Sequence, residues 1–202
     1  MYTKSTERKS LDSWFLILYS YFMAGHNKWT QIKRQKAVVD AKKSKVFSRY
    51  AKIIALAARK GDDPNTSFEL RAAIDKARAE NMPKENIERA IAKGSGKSGE
   101  AQLESARYEA YGPGGAAIII DVITDSKNRA VAEIKHILNE KGGKFAEQGS
   151  VLWAFELSGE KPSAKITVEL SSADKEALEK LIEALEESED VQEIFTNSVK
   201  SS

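Results

Sequence analysis

The sequence predicts an α+β protein, an N-terminal three-helix domain followed by a ferredoxin-like domain with a four-stranded antiparallel sheet. Three observations carry this. Between residues 40 and 94 apolar side chains recur every three or four positions, the period of a helix with one buried side. Beyond residue 107 the pattern changes to short runs of β-branched residues that alternate with helical stretches. Between the two regimes lies Gly94-Ser-Gly-Lys-Ser-Gly99, a polar, glycine-rich stretch with the composition of a flexible linker.

The elements follow in order. Residues 1–22 are set apart as a disordered extension or mis-set start, because Met23-Ala-Gly reads like a second beginning. Lys4, Arg8 and Lys9 precede the apolar run Trp14–Phe22 and loosely imitate a signal peptide, but Glu7 and Asp12 interrupt the positive region. The run is also shorter than the roughly 20 residues a membrane span needs. Residues 23–94 then form a basic arm and the helical domain. In its first helix, from Asp40, Val46, Tyr50, Ile53, Ile54 and Ala57 share one side. Lys42, Lys45, Arg49, Lys52 and Arg59 fall on an adjoining arc of about 100°. Gly61-Asp-Asp-Pro64 ends that helix, and Thr66-Ser-Phe-Glu69 offers a capping box for the next, whose buried face is Leu70, Ala73, Ile74 and Ala77. Pro83 suits the first turn of a third helix, lined by Ile87, Ala90 and Ile91 and stopped at Gly94.

Residues 95–106 are expected as linker and 107–198 as the ferredoxin-like domain, with a tail at 199–202. Tyr108–Tyr111 and the Gly112-Pro-Gly-Gly115 turn are expected to add a leading edge strand. The domain proper reads as a strand at 116–123, a helix marked by Val131, Ile134, Ile137 and Leu138, and a strand at 151–155. An alternating strand at 165–170, a helix from Ser171 that buries Leu178, Leu181, Ile182 and Leu185, and a strand at 191–195 complete it. Strand, helix, strand, strand, helix, strand is the ferredoxin-like order, with both helices on one face of the sheet.

Composition narrows the chemistry. The 202 residues contain no cysteine, which removes disulfides, thiol nucleophiles and the usual zinc fingers. His26 and His136 are the only histidines, fall in different domains and read as surface or capping residues. Gly-Lys-Ser at 96–98 resembles the end of a phosphate-binding loop, but Ile91 stands where that loop needs glycine, and a helix precedes it where a strand should. The acids from Glu183 to Asp190 lack calcium-loop spacing and read as a solvated helix face and turn. No catalytic residue, metal ligand or cofactor is expected.

Charge distribution is the positive signal. The formal net charge is only +2, yet from His26 to Lys60 Asp40 is the single acid. The candidate nucleic-acid-binding residues are Lys28, Trp29, Lys33, Arg34, Lys36, Lys42, Lys43, Lys45, Arg49 and Lys52. Closely spaced cations suit a phosphate backbone because each neutralised phosphate releases counterions, and Trp29 could stack on a base. A lysine run that merely solvates a helix face normally includes acids, and they are nearly absent here.

Several stretches also carry a resemblance. Met23-Ala-Gly-His-Asn-Lys-Trp-Thr-Gln-Ile-Lys33, Arg71-Ala-Ala-Ile-Asp-Lys-Ala-Arg78 and Asn81-Met-Pro-Lys-Glu-Asn-Ile-Glu-Arg-Ala-Ile91 resemble the YebC/PmpR family of transcriptional regulators. So do Tyr111-Gly-Pro-Gly-Gly115, Lys141-Gly-Gly143 and Asp190-Val-Gln-Glu193. The resemblance implies a cytoplasmic, non-enzymatic protein whose N-terminal helical domain binds DNA, with some members associated with the ribosome and related mitochondrial proteins acting as translational activators. It also implies a further α/β lobe after the strand at 151–155, whereas Glu156–Pro162 passes directly to the next strand.

The leading expectation is therefore a nucleic-acid-binding regulator of gene expression acting on DNA. Its alternative is a translation factor on ribosomal RNA or the ribosome, with no membrane partner. A protein-interaction adaptor working through the acidic C-terminal half ranks below both, and a nucleotide hydrolase using Lys97 and Ser98 ranks last.

Overall fold

The structure, a computed structural model, describes residues 40, 43–96, 102–157 and 161–199. Two compact units divide the chain, Met1–Lys45 and Val46–Ser202, and only 40 and 43–45 of the first are described. Everything that follows on packing concerns the second.

Three helices open it. α1 (43–58) is followed by α2 (Phe68–Ala79) and α3 (Lys84–Gly94). Ile54, Ala57 and Ala58 of α1 meet Leu70, Ala73, Ile74 and Ala77 of α2 and Ile87 and Ala90 of α3, with Met82 closing the cluster. The buried face of α2 is the one its sequence period marks out. Its cap lies one residue later than the capping-box spacing suggests. Ser67 Oγ accepts from Leu70 N at 3.3 Å, Thr66 donates instead to the Asp63 carbonyl, and Glu69 is held by Lys60. Pro83 is the residue before α3 and not its first, with its extended ψ of 143°.

The rest is α+β, as expected: β1 (Glu104–Tyr111), β2 (Ala117–Thr124), α4 (Lys127–Glu140), β3 (Lys144–Ala146), α5 (Ser172–Glu187) and β6 (Val191–Thr196). A two-stranded ladder of β4 (Phe155–Glu156) and β5 (Ser163–Ala164) lies between β3 and α5 in the chain. The four-stranded sheet has the order β3-β1-β2-β6, antiparallel throughout. Its membership differs from the expected one in two respects. β1 is no edge strand: it starts at Glu104, inside the expected linker, and pairs with β2 along its whole length and with β3 at its end. Residues 151–155 and 165–170 are not strands of this sheet. The first forms a short 3₁₀ turn at Leu152–Ala154, and the second contributes one isolated bridge, Val168 to Ser198. β1 takes the inner place beside β2, and Val151, Ala154 and Phe155 instead pack on the face of the sheet.

β2 explains how the layers are arranged. Its sequence Ala-Ile-Ile-Ile-Asp-Val-Ile-Thr is buried at every position except Asp121, because the sheet is covered on both sides. Ile118, Ile120 and Val122 face α4 and α5, where they meet Ile134, Leu138, Leu178, Leu181 and Leu185. On the opposite side Ala117 and Ile119 lie under Val151, Ala154 and Phe155, while Ile123 lies under Ala55 of α1 and Leu103. Asp121 sits in the gap between those two coverings and is paired with Arg107 at 2.6 Å. The one charged residue of the strand is thus also its one partly exposed position.

The helix ends are fixed by local bonds. Ser126 and Ser171 Oγ cap α4 and α5 by accepting from Arg129 N and Asp174 N. At the end of α4, Gly142 takes φ +77° and Gly143 N donates to the Leu138 carbonyl at 2.7 Å, the closure that a left-handed residue permits.

Candidate nucleic-acid interface

Of the ten candidate residues, Lys28, Trp29, Lys33, Arg34, Lys36 and Lys42 lie outside the described residues. Lys43 is exposed, and Lys45 and Arg49 are half-buried. None of these three side chains makes an ion pair or hydrogen bond to another described residue. Several other cations of the fold are compensated, among them Lys60 by Glu69, Arg78 by Asp75, Lys84 by Glu88, Lys127 by Glu104 and Lys180 by Glu176. An unpaired cation keeps its full attraction for an incoming anion, whereas a paired one must first give up its partner.

Lys52 belongs to the other class, and this corrects its place among the solvent-facing cations. Helical spacing puts it beside Arg49, but its side chain is only 17% exposed and reaches the sheet. Its Nζ lies 2.6 Å from Asp190 Oδ1 and donates to the Glu189 carbonyl at 2.7 Å. The reason is that α1 has two buried sides. One packs on α2 and α3, and the other, through Ala55 with Ile53 and Leu56, packs on Leu103 and Ile123. Lys52 stands at the border of the second.

Asp190 is the functional-looking residue that the sequence reading missed. The acids up to Asp190 read as a solvated face, yet its side chain is 5% exposed. Its Oδ2 accepts from Arg129 Nη2 and from Thr124 Oγ1, both at 2.9 Å. Arg129 in turn reaches Asp125 at 2.8 Å. Burial favours the neutral acid, but the hydrogen bonds from Lys52, Arg129 and Thr124 outweigh it and hold the carboxyl below the ordinary aspartate range. A group with a lowered folded-state value stabilises the fold above the ordinary aspartate range, and that contribution is lost as pH falls through the lowered value. In a pH series of thermal unfolding, Asp190→Asn is therefore expected to remove part of the destabilisation seen on acidification below about pH 4. An acid limb identical to that of the unsubstituted chain would contradict this assignment. The sequence did contain one hint: Asp190 directly precedes the buried Val191, so its backbone is already committed to the edge of the core.

The other residues weighed in the sequence fall as follows. His136 is exposed and lies 3.9 Å from Glu140, and His26 lies outside the described residues. Lys97 and Ser98 lie outside them too, while Gly94 forms the last residue of α3. Among the described residues no group of three or more His, Asp or Glu could hold a metal ion, and no helix is long and apolar enough to cross a membrane. Glu109, a buried carboxylate on β1, is spent on structure: it accepts from Gly149 N at 2.7 Å and Val151 N at 2.8 Å, fixing the loop that covers the second face of the sheet.

Comparison with known proteins agrees with this architecture. A sequence profile described as the TACO1/YebC protein N-terminal domain matches residues 27–97, and one described as the TACO1/YebC second and third domain matches 103–161. A protein of Prochlorococcus marinus (strain MIT 9313) named "probable transcriptional regulatory protein" is 56% identical over 140 residues, 68% of this chain and 57% of that protein. One of the same name from Dictyoglomus turgidum is 47% identical over 180 residues, 87% of this chain and 71% of that protein. The chain thus spans little more than half the length of several relatives it matches. Among solved structures, a conserved hypothetical protein of Aquifex aeolicus superposes with a TM-score of 0.74 at 29% identity, covering 80% of this chain and 92% of that one.

Proposed function

Since the chain belongs to the TACO1/YebC family, we propose that it is a regulator of gene expression that binds nucleic acid through the cations of α1 and the basic arm before it. It acts as a binding protein and not as an enzyme. The observation that carries this reading is the set Lys43, Lys45 and Arg49, closely spaced on one helix and without acidic partners among the described residues, whereas Lys52, Lys60, Arg78 and Lys84 have them. Phosphates would supply the missing anions, and counterion release would supply the affinity.

DNA is the leading target, in keeping with the names of the relatives, which are called transcriptional regulatory proteins. The second reading, a translation factor on ribosomal RNA, draws on the same cations, because contacts to a phosphate backbone carry no sequence information and serve RNA as well as DNA. The cytoplasm is the proposed location.

Crosslinking in cells, followed by sequencing of the attached nucleic acid, tests the reading. Recovery of promoter or other chromosomal DNA is the expected result, recovery of ribosomal RNA transfers the function to translation, and partners that survive nuclease treatment would instead make the chain a protein adaptor.

A further inference from the structure

Lys52 and Asp190 lie in different layers of the second unit, one on the helical layer and one at the start of β6, and their pairing joins the two. We propose that Asp190 is a positioning residue for the nucleic-acid-binding helix: one buried carboxylate holds Lys52 of α1 and Arg129 of α4, clamping α1 to the sheet in a single orientation, and Lys52 serves the clamp instead of gripping phosphate. The inference rests on the function proposed above only where it concerns nucleic acid; the clamp itself stands on geometry.

Three features support it. First, Lys52 Nζ spends two of its three N–H groups within the fold, on Asp190 Oδ1 and on the Glu189 carbonyl, and little of it remains open to solvent. Second, Asp190 is fully engaged. Oδ1 takes Lys52, Oδ2 takes Arg129 and Thr124, its N–H meets Ser188 Oγ at 3.4 Å, and its carbonyl accepts from Ile123 N at 2.9 Å. A carboxylate tied by its backbone to β2 and by its side chain to two helices has one geometry available. Third, the apolar contact it guards is small, consisting of Ala55, Leu103 and Ile123 with parts of Ile53 and Leu56. Hydrophobic burial is non-directional, so a small patch permits sliding that a buried ion pair does not. Arg59 Nη1, donating to the Leu103 carbonyl at 3.1 Å, adds a second polar tie about two turns further on.

The absence of cysteine makes the test clean. Spin labels at Arg78→Cys on α2 and Glu179→Cys on α5, both exposed, report the distance between the helical layer and the sheet layer. The expected result is one narrow distance distribution in the otherwise unaltered chain, a broadened one with Lys52→Met or Asp190→Asn, and a narrow one again with Lys52→Arg. Unchanged helicity by circular dichroism shows that the variants fold. Lys52→Met leaves Asp190 bonded to Arg129 and Thr124, so it spares the sheet even if Asp190→Asn does not. Narrow distributions in both variants overturn the clamp.

Affinity for a labelled DNA duplex then separates positioning from phosphate contact by sign. Asp190→Asn frees Lys52. A phosphate ligand set free would bind as well as before or more tightly, whereas a lost clamp lowers apparent affinity by about threefold or more as the competent orientation becomes one of several. Undiminished affinity in Asp190→Asn overturns the positioning role. Failure of the unaltered chain to bind any nucleic acid sinks the functional reading, and it is seen separately from the distance result.

Discussion

Gly94→Ala is expected to destabilise the helical layer by about 3 kcal/mol, the upper end of what overpacking costs, and to lower the melting temperature by roughly 6–12 °C. Gly94 is the last residue of α3, and a Cβ built on it would stand 2.1 Å from the Ala55 carbonyl oxygen and 2.8 Å from the Ala55 Cα. Both obstructions are backbone, so no side-chain rotation relieves them. The helices α1 and α3 approach as closely as they do because one contributes glycine and the other alanine. Since the other side of Ala55 rests on Leu103 and Ile123, pushing α1 away also strains its seat on the sheet. Thermal unfolding by circular dichroism measures the effect. Ser95→Ala, one residue on, removes only the bond from the Ser95 hydroxyl to the Ala92 carbonyl and is expected to cost about 1 kcal/mol or less, and a Gly94→Ala variant as stable as Ser95→Ala would show that the approach is not tight in solution.

The second large effect concerns binding. Reversing Lys43, Lys45 and Arg49 to Glu is expected to weaken binding of a DNA duplex by about a hundredfold or more at modest ionic strength, because each reversal removes a phosphate contact and adds a repulsion. These side chains hold up no part of the described structure through hydrogen bonds or ion pairs, so the melting temperature should stay within about 2–3 °C of the original. Gel-shift titration measures the first quantity and thermal unfolding the second. A variant that binds undiminished would move the interface off α1, and one that binds poorly only because it has unfolded would be exposed by the melt.

How much of this could be read in the sequence follows from what each residue answers to. The helices with both a period and a terminator were legible. α2 shows Leu70, Ala73, Ile74 and Ala77 at helical spacing, and α4 is closed by Gly142 and Gly143 where the chain needs a left-handed turn. β2 was legible as a buried run, although its one acid, Asp121, gained meaning only from Arg107 across the ladder. β1 was obscured because its charges are satisfied by distant partners. Glu109 reads as a surface residue until its carboxylate is seen bonded to the amides of Gly149 and Val151. Residues 151–155 misled in the opposite direction. Val151, Ala154 and Phe155 are apolar because they plug the second face of the sheet from a 3₁₀ turn, a task that selects the same residues as a strand would.

The candidate site divides along the same line. The spacing of Lys45, Arg49 and Lys52 puts them on one arc of a helix, but not which part of that arc another layer covers. Lys52 is removed from the set by Asp190, which lies 138 residues away in sequence. Long-range electrostatic pairs of this kind leave no periodic trace, and neither partner looks unusual alone.

In the function proposed above, polyanion attraction by the basic helix and arm supplies the binding. Its most direct test is the salt dependence of affinity, measured by fluorescence anisotropy with one labelled DNA duplex from low to physiological ionic strength. A steep linear fall of log affinity with log salt is expected, with the Lys43, Lys45 and Arg49 reversal flattening the slope by about 2 to 3, the share of three phosphate contacts at roughly 0.9 each. A slope near zero, or one that the reversal leaves unchanged, would contradict it.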